Sequence, residues 1–240
     1  MNSMSNIIEL IQSKFPKIDE MPFLSAIQKG KFERKEILSS EVVELYRALY
    51  TREKIQNIYK DKLKEAKDKK VISDQELSLM TEVIDDEGET EEHIDHLDMR
   101  FKLFAGTDVT RGYFPRFNDE LQKINDEWMS ICQESDLFTL MSCTAAIEGW
   151  YPDISIFFEK EYSKRGFSKD ELEIFIAHQD ADVHHSESQN EILVKNIDKI
   201  DLNIVDEMVT RTFNTSKAYD KMKLEFANQN SEISSYFEKK

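Results

Sequence analysis

Apolar residues return every three or four positions along almost the whole chain, and the alternation of a half-buried strand is scarce. That pattern predicts helices. Residues 40–66 read as one long amphipathic helix, with Ser39 or Ser40 as its cap and Glu41 and Glu44 near its positive end. A second is predicted to start at Ser73-Asp74 and run through QELSLMTEVIDD, and a third to cover about 91–105 after a break at Gly88. Others are expected near 115–133, 136–149, 153–164, 169–197 and 203–228, separated by Gly106-Thr107, Pro115, Pro152 and Arg165-Gly166. Residues 229–240 are expected to fray or to be disordered. No repeat, low-complexity tract or linker interrupts the pattern, so residues 1–240 are predicted to form one all-α bundle.

Composition narrows this. The chain has 6 Gly and 4 Pro in 240 residues, which suits long elements and a sizeable core. Its net charge of −16 leaves no basic surface for phosphates and disfavours docking on anionic membranes. The acidity suits a solvated surface; it also suits carboxylates that serve as ligands, whose charge a bound cation offsets. Cys132 and Cys143 are isolated, without CxxC spacing, and are expected as buried, reduced thiols. No segment approaches the roughly 18 apolar residues of a membrane-spanning helix, and the first residues lack an export signal. A cytoplasmic protein is expected.

The chemistry concentrates in a few places. All five histidines fall within residues 93–96 and 178–185. In AHQDADVHHSE, His178, Asp182 and His185 are spaced by four and three, which puts them at about 0°, 40° and 340° on a helix. His184 falls at about 240° and points elsewhere. Two imidazoles and a carboxylate on one stripe make a ligand set for iron, manganese or zinc. Bundle-core metal sites draw such residues from several facing helices. Glu148, after a mostly apolar stretch and before Trp150, is a second component, because burying it unpaired would be costly. The third lies in VIDDEGETEEHIDHLD. Glu89 and His96 stand seven apart, as do Asp86 and His93, and a break at Gly88 makes Asp86 with His96 equally reasonable. Leu97, Phe101, Phe104, Trp150, Phe157 and Phe175 are near enough in sequence to wall a cavity, and Arg47, Arg52, Arg100 and Arg111 are the cations that an acidic substrate would call on.

On these residues the chain resembles the haem-oxygenase-like diiron oxidases and oxygenases, relatives of pyrroloquinoline-quinone synthase and thiaminase-II-like proteins. MPFLSAIQKGKFERKEI (21–37) is similar to an opening "HPF…L..G", with Met21 in place of histidine. EVIDDEG (82–88) resembles "NI.DE.G", and FAGTD (104–108) resembles "ALG.D". IEGWYP (147–152) resembles "YE..iP", whose glutamate is a ligand, here Glu148. HQDADVHH (178–185) matches H-x3-D-x2-H, the most specific of these motifs. The resemblance implies a haem-oxygenase-like bundle of about seven to nine helices and a site for two ferrous ions, with manganese as the alternative. Its ligands would be Glu89, His96, Glu148, His178, Asp182 and His185, with Asp86 and His93 as alternates for Glu89 and His96. It implies O2 activation, a small amino-acid- or fatty-acid-like substrate, an electron donor and a homodimer. The acidic ligand of "DE.G" falls on Asp86, where the family has glutamate. Para-aminobenzoate-forming members consume a lysine ten residues after the "YE" glutamate; here that position is Phe158, and Lys160 or a displaced residue would have to stand in. A helical interaction protein that kept the fold without the catalysis is the non-enzymatic alternative. A thiaminase-like hydrolase would need Cys132 or Cys143 as nucleophile.

Overall fold

The computed structural model describes residues 3–86, 96–229 and 231–239, and side chains for all of these except 3–6, 85 and 86. Among the described residues nine α-helices make the molecule: α1 (Ser3–Gln12), α2 (Pro22–Gln28), α3 (Arg34–Asp68), α4 (Asp74–Asp86), α5 (His96–Lys102), α6 (Asp119–Glu134), α7 (Leu137–Ser163), α8 (Glu173–Lys195) and α9 (Leu202–Asn228). The all-α bundle expected from the periodicity is what forms.

The long helix α3 starts earlier than the sequence suggested. Glu33 is its cap, and it forms a reciprocal capping box with Glu36, whose carboxylate accepts from the Glu33 N–H at 3.0 Å. Ser39 and Ser40, the expected caps, lie more than a turn inside and are buried, their hydroxyls donating to the carbonyls of Lys35 and Ile37. A cap needs an open amide ahead of it, and at 39–40 the ladder is already closed.

Pro152 also behaves differently from expectation. It lies inside α7, and the two predicted helices 136–149 and 153–164 are one. Proline has no N–H, so the carbonyl of Glu148, four residues back, receives no bond from it. Buried apolar positions continue on both sides of it, from Ala146 and Trp150 to Ile154 and Phe158, and their burial outweighs that loss. Gly166 stops the helix as predicted: at φ +82° it lets the Phe167 N–H reach the Tyr162 carbonyl at 3.3 Å, and the two rings pack 5.2 Å apart.

Helices α7 and α8 are antiparallel, because the contacts Thr144–Gln189, Tyr151–His178 and Phe158–Phe175 run in opposite chain order. Helices α3 and α9 pack together on the other side of the bundle. Within the tail that was expected to fray, residues 233–239 form structure. Phe237–Lys239 (β2) pairs antiparallel with Tyr113–Pro115 (β1), Phe114 facing Glu238, and buried Phe237 sets its ring 5.7 Å from Phe104. Burial of that one aromatic side chain, about 2–3 kcal/mol, is what the polar run before it concealed. None of the described helices is long and apolar enough to cross a membrane.

Candidate functional site

A cavity of about 280 Å³ lies between the two helix pairs. Four helices give it one stripe each, at the three- and four-residue spacing of a helix face. From α3 come Glu44, Arg47, Thr51, Ile55 and Tyr59; from α7 come Thr144, Glu148, Tyr151, Ile154 and Phe158. Helix α9 adds Thr212, Thr215, Tyr219, Asp220 and Lys223, and α8 adds His178, Asp182 and Gln189. Short α5 contributes His96 and Arg100, one turn apart on the same face.

The candidate ligands behave unequally. His96, Glu148, His178 and Asp182 all line this cavity, and the rings of His96 and His178 stand edge to face with centres 5.0 Å apart. His178 Nδ1 lies 2.6 Å from the carbonyl of Ile174. A carbonyl only accepts, so Nδ1 carries a proton; in the neutral ring this leaves the lone pair on Nε2, the tautomer that a ligating histidine needs. Glu148 accepts a bond from Gln189 Nε2, and Gln189 Oε1 in turn accepts from Thr144. Asp182 and His185 are buried, at 2% and 3% exposure. His185 shares the stripe but is not among the residues that line the cavity. His184 is exposed, as the helical angle required. Glu89 and His93 lie outside the described residues, as does the side chain of Asp86.

Among the described residues, no three His, Cys, Asp or Glu side chains stand close enough to hold an ion by themselves. The donor types nevertheless fit a ferrous or manganous ion: two carboxylates and imidazoles, one of them set in the ligating tautomer by a backbone carbonyl and one carboxylate held by Gln189. Gln189 was missed from the sequence, although it falls at about 20° on the stripe of His178, Asp182 and His185. The spacing was there; an amide simply carries no metal signal.

The other end of the cavity is a cluster of buried charge. Glu44 Oε2 accepts from Arg47 Nε at 3.0 Å and stands 3.9 Å from Arg100 Nη2, while its Oε1 is 3.6 Å from Lys223 Nζ. Burial pushes the Glu44 carboxyl up, but Arg47, Lys223 and Arg100 together pull it well below the ordinary carboxylate range. Behind this layer, Glu41 pairs with Lys223 at 2.9 Å and accepts from the Tyr162 hydroxyl at 2.6 Å. Asp220 accepts the amide protons of Phe23 and Leu24, at 2.8 and 3.2 Å, at the start of α2. Burial raises its carboxyl to about 6 against those two bonds. Tyr151 joins the two ends: its ring lies 5.7 Å from that of His178, and its hydroxyl, raised by burial, feels Arg100 and Glu44.

Of the expected cavity cations, Arg47, Arg52 and Arg100 line it and Arg111 does not; Arg111 pairs with Asp98 on the outside. Lys223 was not foreseen, since a lysine in α9 has no sequence feature that sets it apart. Of the expected aromatic wall only Trp150 lines the cavity; Phe104 and Phe175 belong to the packed core, and Leu97, Phe101 and Phe157 lie half-buried against it. Lys160 is exposed, whereas Lys223 brings its ammonium 4.7 Å from the centre of the Phe158 ring. Cys132 and Cys143 are buried free thiols, both pushed up to about 12 chiefly by burial, the reverse of an activated nucleophile.

No family model and no curated protein matches the chain. Among solved structures it is similar to a CADD-like protein of unknown function from Nostoc punctiforme, in two crystal structures. With the structure at 2.00 Å it shares 14% identity over 94% of this chain and 97% of that one, with a TM-score of 0.61. With the structure at 1.35 Å it shares 16% identity over 97% and 96%, with a TM-score of 0.60. At this identity the likeness establishes a common all-α fold along nearly the full length of both chains.

Proposed function

We propose that this chain is a non-haem diiron oxidase or oxygenase that uses O2 to oxidise a small amino-acid- or fatty-acid-like substrate. The observation that carries the reading is the meeting of His96 from α5, Glu148 from α7, and His178 and Asp182 from α8 on one cavity. Glu148, His178, Asp182 and His185 would hold the metal, completed by His96 with Glu89 or Asp86, or by His93 in place of His96. Bound iron would supply O2 activation.

The protein's own residues have plain tasks. Ile174 and Gln189 fix the His178 tautomer and the Glu148 carboxylate before any ion arrives. The apolar wall keeps water from a substrate, and Tyr151, held protonated by burial, can donate a hydrogen bond at the boundary between imidazoles and cations.

Anaerobic reconstitution with ferrous iron, followed by metal analysis, tests the reading. About two irons per chain are expected, falling below one in His178→Ala. Less than one iron or manganese per chain in the wild type would overturn it.

A second reading, a para-aminobenzoate-forming enzyme, gains from the Lys223 ammonium beside Phe158, where such members carry their lysine. Intact-mass analysis after aerobic incubation with iron separates the two. An unaltered Lys223 rejects the second.

A further inference from the structure

Among the described residues, the cavity wall between α3, α5 and α9 leaves one buried cation incompletely paired. Arg100 is 6% exposed, and its Nη1 atom is buried without a hydrogen-bond partner, while Nη2 stands 3.9 Å from Glu44. A buried guanidinium nitrogen left unpaired has lost its water and gained no partner in exchange. Of the four carboxylates that line the cavity among the described residues, Glu148 and Asp182 belong to the α7–α8 end, and the two on α3 and α9, Glu44 and Asp220, are committed. Glu44 is divided among Arg47, Arg100 and Lys223, and both oxygens of Asp220 are taken by the amides of Phe23 and Leu24. Glu41 stands behind Lys223 and does not line the cavity. Arg47, Arg100 and Lys223 therefore all draw on Glu44, with Glu41 as a second partner for Lys223 alone, and Arg100 is the cation left incompletely paired in a low-dielectric wall where an added anion is strongly attracted.

We propose that the ligand of this cavity carries a carboxylate on an apolar body, and that Arg100, flanked by Arg47 and Lys223, holds that carboxylate. The planar fork of Arg100 suits a carboxylate. Ile55, Met80, Ile84, Trp128, Ile147 and Ile154 give the rest of the molecule an apolar wall. Orientation follows from charge. The acidic stripe of Glu148 and Asp182 repels an anion, and Arg100 attracts it, so the carboxylate lies at the α3–α9 end and the body extends toward the imidazoles. Since Arg100 stands one turn from His96 on α5, the atoms presented to the candidate metal ligands are those a few bonds from the carboxylate. This specifies the substrate class for the oxidase reading and rests on that reading only for its chemistry; the binding itself needs no iron.

Octanoate is the probe, with octanol, octylamine and octyl phosphate as comparisons, each titrated into the full chain with and without ferrous iron. Trp128 and Trp150 line the cavity and report binding by fluorescence. Octanoate is expected to bind at least tenfold more tightly than octanol or octylamine. Arg100→Met should weaken octanoate tenfold or more and leave octanol unchanged. It should melt no lower than the wild type, because it removes an incompletely paired buried charge, whereas a structural arginine would take stability with it. Should Arg100→Met fail to fold, Arg100→Lys, which keeps the charge and loses the fork, is expected to show an intermediate weakening. Octanol or octylamine binding as tightly as octanoate overturns the proposal, as does octanoate binding unchanged in the folded variant. Octyl phosphate binding tenfold more tightly than octanoate overturns the choice of carboxylate. Octanoate binding in a protein that takes up no iron leaves this site standing and removes the oxidase reading, and iron uptake without octanoate binding does the reverse.

Discussion

Two charged regions face one cavity and are made of opposite materials. At the α3–α9 end, Arg47, Arg100 and Lys223 gather round Glu44. At the α7–α8 end, the carboxylates Glu148 and Asp182 stand with the imidazoles of His178 and, across the gap, His96. Glu44 and Glu148 are both helical glutamates on this wall, yet their tasks differ because their neighbours do. Glu44 neutralises cations that are already part of the fold. Glu148 is held by an amide, Gln189, which orients a carboxylate and leaves its charge in place. A buried acid is structural where it faces ammonium and guanidinium groups, and a candidate ligand where it faces imidazoles.

The largest expected effect tests the α7–α8 end. Asp182→Ala should reduce reconstituted iron from about two per chain to below one, with the fold retained by circular dichroism. Full iron loading in that variant would make Asp182 another structural acid and dissolve the contrast. Next comes the paired comparison of acids in metal-free protein. Removing Glu44, as Glu44→Ala, strands Arg47 and Arg100 and leaves Lys223 with Glu41 alone, and should cost about 3–5 kcal/mol in urea unfolding, while Glu148→Gln should cost less than about 1 kcal/mol. Equal costs would break the comparison. Gln189→Leu should weaken ferrous binding about 10–100-fold in a chelator competition and leave the octanoate response unchanged.

A smaller effect is pH-dependent. Asp220 has a folded-state value of about 6, above the 3.8 of an ordinary aspartate, because burial outweighs its two amide bonds. Its protonated form is the one the fold favours. Its contribution to stability is therefore complete below about 4 and is lost as the pH rises through about 6. Carbon-detected titration of the Asp220 carboxyl should give a midpoint near 6; one near 4 would show that the α2 amides dominate. Smallest of all, Arg211→Ala breaks exposed pairs with Glu127 and Glu134, and should cost less than about 1 kcal/mol, an effect that fades with salt.

Much of this was legible in the sequence, for reasons that stay local. The 3.6-residue period gave the helices, because it records which side of each helix must leave water. The spacing of His178, Asp182 and His185 put three ligand types on one stripe, and the same arithmetic excluded His184. Where local signals competed with long-range packing, they lost. Pro152 looks like a break and lies inside α7, and Ser39 and Ser40 look like caps and lie buried inside α3. The tail looks frayed, yet Phe237 finds a pocket against Phe104 and a strand partner more than 120 residues earlier.

By itself the sequence determined that this chain is an all-α protein, and which helix faces carry unusual donors. Only the tertiary structure decided which faces meet. It set Lys223 from α9 beside Glu41 and Glu44 from α3, and put Arg100 one turn from His96 on a wall that both share. The division has a physical cause. Helix periodicity is written within a few turns of chain, whereas the worth of a charge depends on what lies within a few ångströms of it after folding.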